Sequence, residues 1–230
     1  MVALYRGNGT DPNLRSSLWN SQVEQDQTVI EVFQGKREGY FVDLAANDAV
    51  FLSNTLSLEQ KFGWKGLCIE PNPGYMKGYL HRKCQLVQSV VGPVEDEAVP
   101  FMFDKGAHGG IVGKDFDNKD RGQPPPSMHT VSIGKILRDF QAPRLIDYLS
   151  LDIEGAEAWV FKTFPWDSFT FLTLTVERPK PELVDMLKQN NYLYLCDHGK
   201  FGDQFWVHPS LTNFEKVVAK YQGKGQCRGQ

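Results

Sequence analysis

The stretch YFVDLAANDA, residues 40–49, decides how the rest of the chain is read. An apolar run from Tyr40 to Leu44 stops at a cluster of small and polar residues. That is the pattern of a buried strand delivering its carboxyl end into a tight turn at a ligand site. Such turns usually carry glycine, which has no Cβ to oppose a left-handed φ or a close backbone approach. Here alanine stands at positions 45, 46 and 49. The turn is expected to be altered but working, provided that Ala45 and Ala49 both keep ordinary negative φ, because a misplaced Cβ is costly.

Outward from this turn, strands alternate with helices. Residues 17–34 read as an amphipathic helix, with Leu18, Val23, Val29, Ile30 and Phe33 apolar and Gly35 as its stop. A strand at 40–45 is followed by a helix at 54–62 closed by Gly63, a strand at 66–70, and a helix running from PNPGY to about residue 82. Residues 84–92 read as a third strand and 99–103 as an extra one. A strand at 146–152, a helix at 155–162, a strand at 169–177 and a helix at 180–190 continue the alternation. Strands at 192–196 and 204–208 have no helix between them and should form an antiparallel hairpin, and 213–221 should be helical. The expectation is one domain over 1–230: an α/β, doubly wound, mainly parallel sheet with a C-terminal antiparallel hairpin. Residues 104–128, rich in glycine, proline and charge, read as a long loop and a candidate lid ahead of a helix at 132–141.

Composition narrows the function. The 230 residues are 41% hydrophobic and 23% charged, with a formal net charge of −3. No basic excess is available to neutralise phosphates, which argues against nucleic acid as a partner. No apolar stretch is long enough to span a bilayer, and the first residues lack the apolar core of a signal peptide. Cys68, Cys84, Cys196 and Cys227 include no CxxC pair, and Cys68 and Cys196 lie in apolar runs. They read as buried thiols in a reducing compartment rather than as disulfides or zinc ligands.

In a sheet of this kind ligands bind beyond the carboxyl ends of the strands, so the residues there matter most. They are Asp43, Ala45, Ala46, Asn47 and Asp48 after the first strand, Glu70, Pro71 and Asn72 after the second, Asp152, Glu154 and Glu157 after the fourth, and Glu177 after the fifth. Carboxylates collect on one edge. Glu70, 27 residues after Asp43, is placed to accept hydrogen bonds from ribose hydroxyls. The first turn is no dinucleotide fingerprint, because GxGxxG is absent and Asp43 and Asp48 would repel a diphosphate. A nucleoside cofactor without phosphates, such as S-adenosylmethionine (SAM), suits the acidic edge better, since its ammonium and sulfonium are cationic.

FVDLAANDA, then LCIEPNP, LSLDIEGAE and TVE, in that order over residues 21–208, resemble the FkbM family of SAM-dependent methyltransferases. The resemblance implies a Rossmann-like domain of class I methyltransferase type that moves a methyl group to a hydroxyl oxygen, most often of a sugar or glycan. It implies that Asp43 and the backbone of Ala45–Asn47 hold the methionine part of the cofactor, that Glu70 and Pro71 flank the ribose, that Ser89 and Val90 lie by the adenine, and that Asp152 and Glu154 face the methyl group and the acceptor. The chain departs from the family's D-x-G-A-N-x-G turn at Ala45 and Ala49. The compact length and the lack of a targeting signal make a cytoplasmic enzyme the expectation, or one domain of a larger glycan-modifying protein.

A neutral hydroxyl needs a base, and Asp152, Glu154, His108 and His198 are the candidates. Against these stand ordinary roles. Asp152 or Glu154 could cap the following helix, Glu157 could be a solvated helix residue, His108 and His198 could be surface histidines, and Glu177 could simply pair with Arg178. Asp152 and Glu177, on successive strand ends, could meet a divalent metal, but Arg178 puts a cation beside them, and a metal is not favoured. Two other readings remain: a non-catalytic binding domain on the same fold, motivated by the alanines, and a nucleotide-dependent oxidoreductase, which the missing glycines count against.

Overall fold

The computed structural model describes residues 3–6, 19–119, 122 and 125–228. The elements, in chain order, are β1 (Ala3–Arg6), α1 (Gln25–Val32), β2 (Tyr40–Leu44), α2 (Leu56–Phe62), β3 (Lys65–Ile69), α3 (Met76–Tyr79), β4 (Gln85–Gln88), β5 (Val90–Gly92), β6 (Ala98–Met102), β7 (Gly110–Ile111), β8 (Ser127–Ser132), α4 (Ile133–Asp139), β9 (Leu145–Leu151), α5 (Glu157–Phe161), β10 (Thr170–Val176), α6 (Pro181–Gln189), β11 (Leu193–His198), β12 (Asp203–Val207) and α7 (Phe214–Tyr221). The main sheet has the order β1-β4-β3-β2-β9-β10-β12-β11. Strands β4, β3, β2, β9 and β10 are parallel, β1 adds antiparallel at one edge, and the β11–β12 hairpin closes the other. This is the doubly wound, Rossmann-like α/β architecture expected from the alternation of elements.

Period-two alternation of the strands sends side chains to two cores. Val42, Leu44, Leu67 and Ile69 face one side, against Ile136 and Leu137 of α4, Phe161 of α5 and Leu183 and Leu187 of α6. Phe41, Cys68 and Tyr148 face the other, against Val29 and Val32 of α1, Leu58 of α2 and Val217 and Tyr221 of α7. The chain winds outward from β2 to β4 and returns to β9 on the other side of β2, so the sheet's switch point lies between the ends of β2 and β9.

Several elements differ from the expectation, each for a physical reason. The N-terminal helix begins only at Gln25, because Glu24 holds a positive φ of 65°; Leu18 lies outside the described residues. The helix after PNPGY is a single turn. The run 84–92 breaks at Ser89, where the chain leaves the main sheet: β4 pairs with β3, but β5 pairs with β8. Much of 104–128 is ordered structure. A short 3-10 turn at Gly106–His108 and β7 precede β8, and β5, β8, β6 and β7 form a second, four-stranded sheet over Val90, Val99, Phe101, Ile111 and Ala156. Strand β8 escapes a pattern search because only Thr130 of its six residues is buried. No helix among the described residues is long and apolar enough to cross a membrane.

The cysteines correct the reading of free thiols. Cys68 of β3 is bonded to Cys84, and Cys196 of β11 to Cys227. With sequence separations of 16 and 31, loop closure alone stabilises the fold by about 3 and about 4 kcal/mol in the chain-entropy model. Paired cysteines are a mark of oxidising compartments, and the inference to a reducing one falls with the free thiols.

The turn after β2 is held from below by Arg82, whose side chain has no solvent exposure. Its guanidinium donates to Glu59 Oε2 at 3.1 Å, to the Ala49 carbonyl at 2.7 Å, to Ser53 Oγ at 3.2 Å and to Thr55 Oγ1 at 3.0 Å. Thr55 Oγ1 in turn donates to Asp43 Oδ2 at 2.6 Å. Glu59 also accepts from the backbone of Lys83 and Cys84. Removing one partner of a buried pair strands the other's charge. Arg82→Met should therefore lose about 3–5 kcal/mol in equilibrium urea unfolding, and adding Glu59→Gln should recover part of that loss.

Candidate functional site

Three spaces meet over the switch point, and Ala45 lines all of them. The largest is a cavity of about 400 Å³ bounded by Asp43, Asn47, Asn54, His108, Asp152, Glu154, Thr175, Glu177 and Asp203. A narrow recess by Glu70, Pro71, Asn72 and Tyr75 adjoins it. Beyond lies an apolar slot formed by Leu44, Pro71, Ser89, Val90, Phe101, Ile111 and Ile153. Asp43, Ala45, Asn47, Glu70, Pro71, Ser89, Val90, His108, Asp152, Glu154 and Glu177 thus border one trough, whereas His198 does not. Among the described residues, no lysine or arginine lines it.

The turn itself is strained at one alanine. Ala45 has φ +62° and Asn47 φ +52°, whereas Ala49 keeps a negative φ. Asparagine tolerates the left-handed region, but for alanine it costs roughly 1–2 kcal/mol. The condition on ordinary φ therefore fails at 45 and holds at 49. The geometry is fixed by the backbone N–H groups of Ala45 and Ala46, which both donate to the Ile69 carbonyl at 3.0 and 3.1 Å. Tyr79 Oη also donates to the Ala46 carbonyl at 2.8 Å. The methyl of Ala49 is accommodated because residue 78 is glycine: a Cβ there would lie 2.9 Å from it.

Glu70 accepts the backbone N–H of Asn47 and of Asn72, each at 2.8 Å, so one carboxylate joins the ends of β2 and β3. It is buried, and that burial, opposed by the two N–H groups and aided by nearby Asp43, pushes its pKa up to about 7. Burial also raises Asp43, against the hydrogen bond from Thr55 and the charge of Arg82.

Around the cavity, His108 Nδ1 and Glu154 Oε1 lie 3.2 Å apart. Arg178 lies 2.9 Å from Glu177 Oε2, 3.2 Å from Asp117 Oδ2 and 3.7 Å from Glu154 Oε2. The expected Glu177–Arg178 pair is present, within a wider network. Asp152 is exposed to the cavity, but its confined position and the adjacent carboxyls of Glu177 and Glu154 hold its pKa well above the ordinary range. Glu154 is raised as well, by burial opposed by His108.

The helix-capping role belongs to neither Asp152 nor Glu154. Glu157, 1% exposed, instead holds the turn that precedes the helix: its carboxylate accepts the Ile153 N–H at 3.0 Å and the Gly155 N–H at 3.1 Å. The reading of Glu157 as a solvated helix residue is thereby overturned. His198 is removed from the candidate bases. It is buried, its Nδ1 faces the Val23 carbonyl at 3.1 Å, and burial lowers its pKa to about 4. Asp203, at the start of β12, is a cavity residue that sequence reasoning missed; its only signal is a place in the DHGKFGD hairpin turn.

Residues 43–199, more than half of the chain, match the methyltransferase FkbM domain. No curated protein matches the chain. Among solved structures, it is similar to the crystal structure of precorrin-6y C5,15-methyltransferase from Geobacter metallireducens GS-15, at 9% identity and a TM-score of 0.42, over 79% of this chain and 85% of that one. On the domain match, the chain belongs to the FkbM methyltransferase family.

Proposed function

We propose that this protein is a SAM-dependent O-methyltransferase whose acceptor is a hydroxyl of a sugar or glycan. The observation that carries the reading is the continuous trough over Ala45, with a buried carboxylate at its middle, an apolar slot at one end and an acidic cavity at the other. SAM fits that layout: the slot suits adenine, Glu70 suits the ribose hydroxyls, and Asp43 with Asn47 suits the methionine end. Among the described residues no lysine or arginine lines the trough to neutralise a diphosphate, which weighs against a dinucleotide.

Bound SAM would supply an electrophilic methyl for the acceptor oxygen, its sulfur keeping the electrons of the C–S bond. The protein's own contribution is position and proton removal. With Nδ1–H of His108 donating to Glu154, Nε2 carries the lone pair that takes the hydroxyl proton. Gln22, Gln25, Asn54 and Thr175 offer polar contacts within the cavity. The exposed rings of Phe51 and Phe201, which also line it, offer apolar surface to a sugar ring. The two disulfides favour an oxidising compartment over the cytoplasm as the place of work.

Calorimetric titration with S-adenosylhomocysteine tests the cofactor. The intact protein should bind it, and Glu70→Ala should weaken binding by at least tenfold, on the order of one lost charged hydrogen bond. No binding by the intact protein would instead support a non-catalytic domain disabled by the strain at Ala45.

The pKa of Glu70 adds a pH dependence. Ribose hydroxyls donate best to the ionised carboxylate, so affinity should rise with pH, by up to about tenfold per unit below pH 7, and level off above it. Glu70→Gln should flatten the profile. Stability runs the other way. Glu70, and Asp203 with its pKa pushed up to about 6 by burial and by the charge of Glu177, are raised in the folded state. Their contribution is fully present below the unfolded carboxylate pKa and is lost as pH rises through about 6 to 7. The cofactor-free protein should therefore melt at a lower temperature at pH 8 than at pH 5.

A further inference from the structure

Among the described residues, the cavity beside the cofactor trough gathers more negative charge than the neighbouring cations balance. One carboxylate oxygen from each of Asp152, Glu154 and Glu177 lies within 4.8 Å of the others. The group is built on rigid elements. Leu151 and Val176 are register partners in the adjacent parallel strands β9 and β10, so Asp152 and Glu177 leave the sheet side by side. Glu154 is held at φ +54°, with its carbonyl accepting the N–H of Asp117 at 2.9 Å. A non-glycine residue in that region is a strain that the surroundings must maintain.

A second observation comes from another element. Asp203, 7% exposed, lines the same cavity. Its Oδ2 accepts Gln25 Nε2 at 2.9 Å, but its Oδ1 is buried with no donor among the described residues. A buried carboxylate oxygen left without a partner is expensive and calls for a donor or an ion. Four carboxylates thus face Arg178 and His108. Arg178 approaches only one oxygen of Glu177 and one of Glu154, both Oε2, so it does not exhaust either group. A carboxylate offers about four acceptor positions. The guanidinium is therefore a neighbour of the cluster, not a substitute for what would fill it.

We propose that this cluster is a binding site for a hard divalent cation, Mg²⁺ or Mn²⁺, with Asp152, Glu154 and Glu177 as ligands and Asp203 accepting a hydrogen bond from a cation-bound water. The all-carboxylate donor set selects such ions over zinc or copper, which favour nitrogen and sulfur ligands. Its role rests on the methyltransferase reading: the cation would hold the acceptor oxygen and ease transfer of its proton to His108, ahead of C–O bond formation and C–S cleavage. Binding of the ion does not depend on that reading.

The test is titration of the full chain with Mn²⁺, without cofactor, followed by electron paramagnetic resonance of the free ion, with Mg²⁺ as competitor. One saturable site is expected. Asp152→Asn and Glu177→Gln should each weaken it at least tenfold, while Glu182→Gln on α6 leaves it unchanged. Circular dichroism confirms folding of each variant, and Asp203→Asn gives a third, milder loss. Absence of saturable binding into the millimolar range, or binding by the Asp152 and Glu177 variants as tight as by the unaltered protein, would overturn the site. S-adenosylhomocysteine titrated in the presence of EDTA separates the two claims: cofactor binding without Mn²⁺ binding sinks the metal site alone, and the converse sinks the cofactor reading alone.

Discussion

Arg82 is the interaction on which the architecture of the site depends. Its guanidinium lies wholly inside the protein, below the turn that follows β2, and joins Glu59 on α2 to the Ala49 carbonyl, Ser53 and Thr55. A buried charge is tolerated only where its donors are matched, and here each nitrogen finds an acceptor. The consequence reaches the cavity through Thr55, whose hydroxyl receives from Arg82 and donates to Asp43. The orientation of Asp43 at the switch point is thus set from the far side of the sheet edge. The Cys68–Cys84 bond ties β3 to the segment between Arg82 and β4, so the same region is fixed covalently as well.

On this support the turn can carry alanine at the positions where the resemblance to the family's turn leads one to expect glycine. Ala45 remains in the left-handed region because two N–H groups are committed to the Ile69 carbonyl and the Ala46 carbonyl is committed to Tyr79. The strain is small beside the sum of these interactions. At position 49 no strain arises, and Gly78 of the next helix yields the space that the methyl takes. The departure from the family's turn is thus two separate adjustments, one of backbone energy and one of packing.

The parallel sheet, its order of elements and the residues at its strand ends were legible in the sequence because they rest on short-range signals: apolar runs of strand length, helix stops such as Gly63, and carboxylates just beyond the runs. What was not legible rests on partners far apart in the chain. Arg82 looks like a surface charge in HRK until Glu59 is seen beside it. Asp203 enters the cavity only because the β11–β12 hairpin returns antiparallel to β10. The cysteines carried the signature of buried apolar residues, which they are, and nothing in their spacing distinguished a buried thiol from a buried disulfide. Strand β8 hides in polar sequence because its pairing, with β5 and β6, supplies the order that its own side chains do not announce.

The trough combines these parts into one gradient, from apolar at Val90 and Ile111, through the buried Glu70, to the carboxylates around Asp152. That gradient matches a cofactor with a flat apolar base at one end and positive charge at the other. The most direct test is a crystal structure of the complex with S-adenosylhomocysteine. The account predicts the adenine between Val90 and Ile111, the ribose hydroxyls on Glu70 and the amino acid end toward Asp43 and Asn47, passing over Ala45. A ligand bound elsewhere, or an Ala45 turn rearranged so that Glu70 no longer faces the ribose, would contradict it.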